Sequence, residues 1–156
     1  MQIAAITPAD FESVIALWET TGLTRPWNPP AADLQRALGT DSATVLGVFA
    51  DTENAGTENA GTEITAIERQ GNTLLGTVMV GHDGHRGWIY YLAVAPSEQG
   101  TGLGRMLMDA AEAWLVDHGA VKVQLMVRQT NVAVTGFYDR LGYADADVRV
   151  LAKRLD

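Results

Sequence analysis

Between Gln99 and Arg105 the chain reads Gln-Gly-Thr-Gly-Leu-Gly-Arg, and here its residue types most directly suggest chemistry. Glycines at 100, 102 and 104 remove the side chains that would keep a ligand off the backbone. The helix that starts behind them leaves its first N–H groups unpaired and pointing at whatever occupies the turn. That arrangement suits a phosphate or pyrophosphate. Two familiar versions of it fail on the residues: a Walker loop ends in Lys and then Ser or Thr, whereas Gly104 is followed by Arg105 and Met106. The dinucleotide fingerprint would place its third glycine at position 105, which is arginine.

Other chemically capable groups are more dispersed. His82, Asp83 and His85 fall in a glycine-containing turn, where such a grouping is usually a solvated turn, and nothing near it in sequence supplies a sure third metal ligand. No metal site is therefore expected. His118 sits at a helix end, where it complements the helix dipole.

Composition narrows the function classes. The 156 residues suit a single domain, 1–156, with a sizeable core, and they include no cysteine, which excludes disulfides, thiolate metal sites and a cysteine nucleophile. A net charge of −8 argues against a nucleic-acid partner, because such affinity comes mainly from lysine and arginine neutralising phosphates. The same acidity tolerates a cationic amine substrate, although solubility alone also accounts for it. No stretch approaches the length of a membrane span, and the first residues have neither a basic region nor an apolar signal core, so no membrane partner and a cytoplasmic location are expected.

The elements that must position the turn follow from hydrophobic period. Gln2 to Ile6 reads as a short strand; Thr7-Pro8 starts a helix in which Phe11, Val14, Ile15 and Trp18 share a face as far as Gly22. Arg25 to Pro30 is a rigid linker, Ala31 to Leu38 a second short helix, and Val45 to Ala50 a strand. Residues 52 to 63 repeat Thr-Glu-Asn-Ala-Gly and end in Thr62-Glu63, with no apolar residue larger than alanine, so they are expected to form a mobile surface insertion. Ile64 to Arg69 and Thr73 to Gly81 read as a hairpin, and Trp88 to Val94 returns as a long apolar strand. Behind the glycine turn, Leu103, Met106, Leu107, Ala110, Ala111, Trp114 and Leu115 form one helical face, with Arg105, Asp109, Glu112 and Asp117 left wet and Gly119 as the stop. Val121 to Val127 alternates as a strand, a helix follows from Asn131 to Leu141, and Val148 to Leu155 reads as a last strand. The expected architecture is α/β (α+β): a mixed, mostly antiparallel central sheet with helices on both faces.

Two stretches together resemble a family. Gln99-x-x-Gly102-x-Gly104 after a Leu-Ala-Val strand and a proline, and Asn131-x-x-Val134-x-x-Phe137-Tyr138 followed by Gly142-Tyr143, resemble the two signatures of the GNAT N-acetyltransferases. The likeness extends to the Arg-Pro-Trp-Asn linker, the turn before Trp88 and the Ala-Asp-Val ending, which look like a small bacterial subgroup of that family. The chain departs from the pattern at Val134, which replaces a small alanine, at Gly136 inside the helix, and in the repeat insertion. It also lacks the glutamate that many relatives carry early in the strand before the glycine loop, where this chain reads Gly87-Trp88-Ile89-Tyr90-Tyr91.

The resemblance implies acetyl-CoA as cofactor and transfer of its acetyl group to a primary amine of a small molecule, a peptide N-terminus or a lysine. By the same resemblance, backbone amides of Gln99, Gly100, Thr101, Gly102, Leu103, Gly104 and Arg105 would hold the pyrophosphate. The strand Leu92-Ala93-Val94 would pair with the pantetheine arm, chiefly through Leu92 and Val94, and the side chain of Asn131 would bond to that arm. Tyr138 would face the sulfur, where a phenol with pKa about 10 remains protonated and can donate to the departing thiolate. A lysine-type amine is neutral in only roughly one molecule in 2,500 at pH 7, so a base or water relay is expected. His82, Asp83, His85 and Tyr90 are the alternatives to the missing glutamate. For the acceptor, Arg25, Trp27 and Asn28 of the linker offer a guanidinium for a carboxylate, an indole wall and an amide. A non-catalytic module that binds or senses acyl-CoA is the alternative function, and the last strands offer edges through which two copies could pair.

Overall fold

The computed structural model describes residues 1–50 and 72–155. The repeat insertion and the strand expected at Ile64 to Arg69, with its hairpin turn, lie outside the described residues. Two compact units are formed, Met1–Leu125 and Met126–Asp156.

The first unit holds five strands: β1 (Gln2–Ala5), β2 (Ala43–Phe49), β3 (Leu74–His82), β4 (Gly87–Val94) and β5 (Val123–Leu125). They lie in the order β1-β2-β3-β4-β5, antiparallel except for the parallel β4–β5 pair. A parallel neighbour requires a crossover, and α3 (Leu103–Asp117) provides it. The mixed, mostly antiparallel sheet expected from the sequence is therefore present.

Strand alternation sends successive side chains to opposite faces, and each face has its own helices. On one side lie α1 (Phe11–Thr20) and α2 (Pro30–Leu38), with Val14, Leu17, Trp18 and Leu34 buried in one cluster with Val45, Phe49 and Ala93. Thr7 opens this layer: its N–H and hydroxyl both donate to Asp10 Oδ2, at 2.8 Å each, and a short 3₁₀ turn, Pro8–Asp10, precedes α1. On the other side α3 packs against β2, β3 and β4. Its buried face is Leu103, Leu107, Met108, Ala111 and Leu115; Met106, expected there, is exposed, and Met108 takes its place. Leu115 approaches β4 so closely that a Cβ at Gly87 would stand 2.5 Å from its Cδ1. Side chains such as Leu107 and Leu34, buried completely, each contribute about 2 kcal/mol to holding their layers.

Two strand expectations need correction. The run from Val121 to Val127 forms a strand only at Val123–Leu125, with Val121 85% exposed, because its parallel ladder with β4 covers only Gly87 to Ile89. Val148 to Leu155 forms no strand: Val148, Val150, Leu151 and Leu155 are exposed, and Asp147 just before them turns the backbone to φ 53°. Alternation supplies a face, but a strand also needs a ladder partner, and no described strand pairs with this segment. The second unit has one helix, α4 (Val132–Arg140), with Val134, Phe137, Tyr138 and Leu141 partly buried as the spacing requires. No described helix is long and apolar enough to cross a membrane.

Candidate functional site

The glycine turn is built by backbone conformation. After β4 a 3₁₀ turn, Pro96–Glu98, leads through Gly100 at φ 81° and Gly102 at φ 98° into α3. Both angles lie in the left-handed region, which L side chains adopt only at a cost. A Cβ at either position would meet nothing within 4 Å, so within the chain the constraint is the dihedral angle and not crowding. Gly102 caps α3 with its carbonyl, which accepts from Met106 N–H at 3.1 Å. The N–H groups of Leu103, Gly104 and Arg105 precede the first intrahelical donor and find no acceptor among the described residues. They form the concentrated donor set an anion requires. Leu103 is meanwhile buried through its side chain, and Arg105 extends along the helix, with Nε 3.9 Å from Asp109 Oδ2. Thr101 is occupied locally, its hydroxyl donating to the Glu98 carbonyl at 2.7 Å.

Beside the turn, one edge of β4 has no ladder partner among the described residues. Across β3 and β4, Thr77 pairs with Ala93 and Met79 with Tyr90, so three steps on β4 match two on β3, a β-bulge. Tyr91 lies inside it at φ 49°. Beyond the bulge the Ala95 N–H donates to the Leu75 carbonyl at 2.8 Å, so the backbone groups of Ala95 and Ala93 face β3. Those of Leu92 and Val94 therefore face the opposite edge, where the β5 ladder has already ended at Ile89. Gln99 Nε2 donates to the Val94 carbonyl at 3.2 Å, which ties the glycine turn to that edge. Ala93, expected with Leu92 and Val94, instead belongs to the β3 ladder and the core.

Side chains, not backbone, organise the α1–α2 face. Trp18 is fully buried, donates through Nε1 to Thr77 Oγ1 at 2.8 Å and stacks on Tyr91, ring centroids 4.0 Å apart. The Tyr91 hydroxyl donates to Asp33 Oδ2 at 2.6 Å and accepts from Asn28 Nδ2 at 2.8 Å. Asn28 Nδ2 also reaches Asp33 Oδ2, and Arg36 pairs with the other Asp33 oxygen. Burial first, and then the bond to Asp33, pushes the Tyr91 hydroxyl up to about 12, so it remains a donor. Neither Asp33 nor Tyr91 stands out in the sequence, where they are far apart and carry no motif. Of the linker residues expected to meet an acceptor, Asn28 is committed to this cluster. Arg25 is turned onto the backbone, its Nη1 donating to the Gly22 carbonyl at 2.8 Å and also to that of Thr24, whereas Trp27 is 62% exposed.

The structure separates the residues considered as bases. His82 faces α3, with its ring 6.0 Å from Trp114 and 5.7 Å from His118. Tyr90 lies on the opposite face beside Trp88, and burial raises its hydroxyl pKa. His82 also stands at the Gly87 end of β4, roughly 20 Å along the strand from Val94. Asp83 organises its turn: Oδ1 accepts from the His85 and Arg86 N–H groups and Oδ2 from Trp88 Nε1. The N–H groups of Arg86 and His85, then the Trp88 indole, hold its pKa down to about 2, too low for a useful base near neutrality. His85 is exposed beside Arg86, and His118 stacks on Trp114 with Nδ1 2.7 Å from its carbonyl.

In the second unit Asn131 stands at the start of α4 with its side chain exposed and not used as a cap. Tyr138 is half-buried, edge-on to Phe137 at 5.0 Å and to Tyr143 at 5.8 Å. Burial raises its hydroxyl pKa above the ordinary phenol value.

A model of the acetyltransferase (GNAT) family matches residues 18–143. The chain belongs to the GNAT acetyltransferase family. Solved structures agree in fold. The aminoglycoside N-acetyltransferase AAC(6')-Iy, in complex with the bisubstrate analogue CoA-S-monomethyl-acetylneamine, superposes with TM-score 0.74 at 14% identity, covering 98% of this chain and 97% of that one. The 6'-N-acetyltransferase AAC(6')-Ig of Acinetobacter haemolyticus gives 0.71 at 16% identity, with both chains covered completely. A Trypanosoma brucei acetyltransferase gives 0.64 at 17%, covering 98% and 99%. At these identities the likeness is one of fold, and the family match carries the assignment.

Proposed function

We propose that the whole chain acts as one acetyltransferase domain that moves the acetyl group of acetyl-CoA directly to a primary amine. The observation that carries this reading is the pairing, among the described residues, of an acceptor-free row of N–H groups at Leu103, Gly104 and Arg105 with a β4 edge at Leu92 and Val94 that no strand pairs. The first fits a pyrophosphate and the second the amide-bearing arm of coenzyme A, which would add to β4 as an extra strand. CoA or a CoA-bearing analogue is bound in the AAC(6')-Iy structures, which supports the same donor here.

When bound, the thioester supplies an acetyl carbonyl open to attack. The N–H groups of the glycine turn would hold the pyrophosphate and the backbone of Leu92 and Val94 would orient the arm, and by the family resemblance the Asn131 amide would bond to it. Backbone N–H groups of the same strand segment would be available to steady negative charge on the acetyl oxygen. By the family resemblance Tyr138 would be the acid that supplies the proton of the leaving thiol when the thioester C–S bond is exchanged for the amide C–N bond. Its burial-raised pKa keeps it in the donor form at neutral pH. No cysteine is present, so no thiol of the chain can carry the acyl group, which supports direct transfer. The acceptor amine must lose a proton before attack, and with no carboxylate between Gly87 and Tyr91 the rate should rise as the amine itself titrates. Aminoglycosides are the acceptors named for two of the structural neighbours, and a polyamine of that kind matches the acidic net charge of this chain.

Titration calorimetry with acetyl-CoA, CoA and ATP tests the donor: micromolar binding of acetyl-CoA without ATP binding is expected, and a folded protein that binds none of them overturns the reading. Thiol release across an amine panel then tests turnover. Tyr138→Phe should lower kcat by about 100-fold or more while binding is retained. The wild-type rate should rise through neutral pH as the amine titrates and fall only above about pH 10, as the phenol loses its proton, and Tyr138→Phe should remove that falling limb. Tight CoA binding with no turnover on any amine would favour a sensing module instead.

A further inference from the structure

The β4 bulge is held from the α1–α2 side by a closed set of side-chain contacts. Tyr91 occupies a left-handed conformation at φ 49°, which a residue with a Cβ keeps only when its surroundings impose it. Those surroundings are specific. The ring stacks on Trp18 at 4.0 Å, the hydroxyl bonds to both Asp33 and Asn28, and Arg36 pairs with the second oxygen of Asp33. Trp18 is fixed in turn to Thr77, on β3 at the bulge itself. The contacts thus run from β3 through α1 to β4, and on through the linker to α2. Immediately past Tyr91 the backbone groups of Leu92 and Val94 turn to the open edge.

We infer that Tyr91 and Asp33 are positioning residues for acyl transfer: by clamping the bulge they set the β4 edge to which coenzyme A binds. They also make the conformation of the linker that carries Trp27 and Asn28 energetically coupled to donor binding. The inference rests on the acetyl-CoA reading above and adds that the donor's docking edge is governed from the opposite side of the strand. Coupling through such a clamp should be reciprocal.

The test combines hydrogen exchange of the full chain with acetyl-CoA titration. In Tyr91→Phe, which keeps the ring stack and loses the hydroxyl, the amides of Thr77, Ala93 and Ala95 should exchange faster and the acetyl-CoA Kd should rise about five-fold or more. Asp33→Asn should act in the same direction and more weakly. Tyr91→Gly should bind acetyl-CoA better than Tyr91→Ala, because both lose the ring but only alanine opposes the positive φ. Unchanged exchange in Tyr91→Phe would overturn the clamp, even with weaker binding, since the hydroxyl would then act on the ligand directly. Equal affinities for Tyr91→Gly and Tyr91→Ala would also overturn it. If wild-type protein does not bind acetyl-CoA, the donor reading fails by itself, and faster or unchanged exchange still decides whether the clamp exists.

Discussion

The glycine turn and the Trp18–Tyr91 cluster flank the same strand and are built on opposite principles. Residues 99 to 105 act through main-chain N–H groups, set by two left-handed glycines and the start of one helix. The cluster acts through side chains drawn from α1, the linker, α2, β3 and β4, and no two of its hydrogen-bonded partners from different elements are neighbours in sequence. A backbone site depends on conformation and tolerates little at a few positions. A side-chain cluster depends on packing and loses most when its buried anchor is removed. The two should therefore fail differently when mutated.

The largest effect is expected at the anchor. Trp18→Ala removes a fully buried indole, its stack on Tyr91 and its bond to Thr77, and should cost about 3–5 kcal/mol in denaturant unfolding. A loss below about 1 kcal/mol would mean that the cluster does not hold the layer together.

Gly102→Glu attacks the other principle. It imposes a Cβ at φ 98° and brings a carboxylate to the helix N-terminus where phosphate oxygens would lie. Acetyl-CoA affinity should fall by about 100-fold or more, equivalent to ~2.7 kcal/mol, while the core remains formed. The space around a Cβ there is open, so the effect should come from strain and charge rather than from collision within the protein. Wild-type affinity in this variant would place the anion elsewhere.

This contrast also explains what the sequence revealed. The glycine turn was legible because its residues are contiguous and two of its glycines, Gly100 and Gly102, sit at positive φ, and the helix behind it because its period is regular. Even there one position differed, Met108 replacing Met106 in the buried face. The Tyr91–Asp33 bond was not legible, because 58 residues separate partners that acquire meaning only once β4 and α2 are packed. The same limit applies to Val148–Leu155, whose alternation said nothing about a partner, and to Asp83, whose carboxylate is consumed by its own turn. His82 and Tyr90, close in sequence, were divided by the alternation of two different strands.

A smaller loss should follow from Thr77→Val. The substitution keeps shape and removes only the acceptor of the Trp18 N–H, leaving a buried donor unpaired, at about 1–3 kcal/mol in unfolding free energy. Retained stability would show that the stack on Tyr91, and not this bond, fixes the indole. In either outcome the result divides the cluster's energy between its polar and aromatic parts.

The smallest effect has the opposite sign and tests whether Gly136, at which the chain departs from the second signature, is conformational at all. Gly136 lies within α4 at an ordinary negative φ, and a Cβ there would meet only Arg140 Nη1, at 3.7 Å. Glycine at such a position leaves the unfolded chain more freedom than alanine would and gains nothing from its missing side chain. Gly136→Ala should therefore stabilise the protein by about 0.5–1 kcal/mol in thermal unfolding, whereas Gly102→Ala should destabilise it, since only position 102 lies at positive φ. If both alanine variants destabilise, Gly136 is held by a contact that its own helix does not supply. Opposite signs would establish that the two glycines differ in kind: Gly102 stands where the backbone must turn and other residues resist, whereas Gly136, a departure from the family pattern, meets no conformational demand.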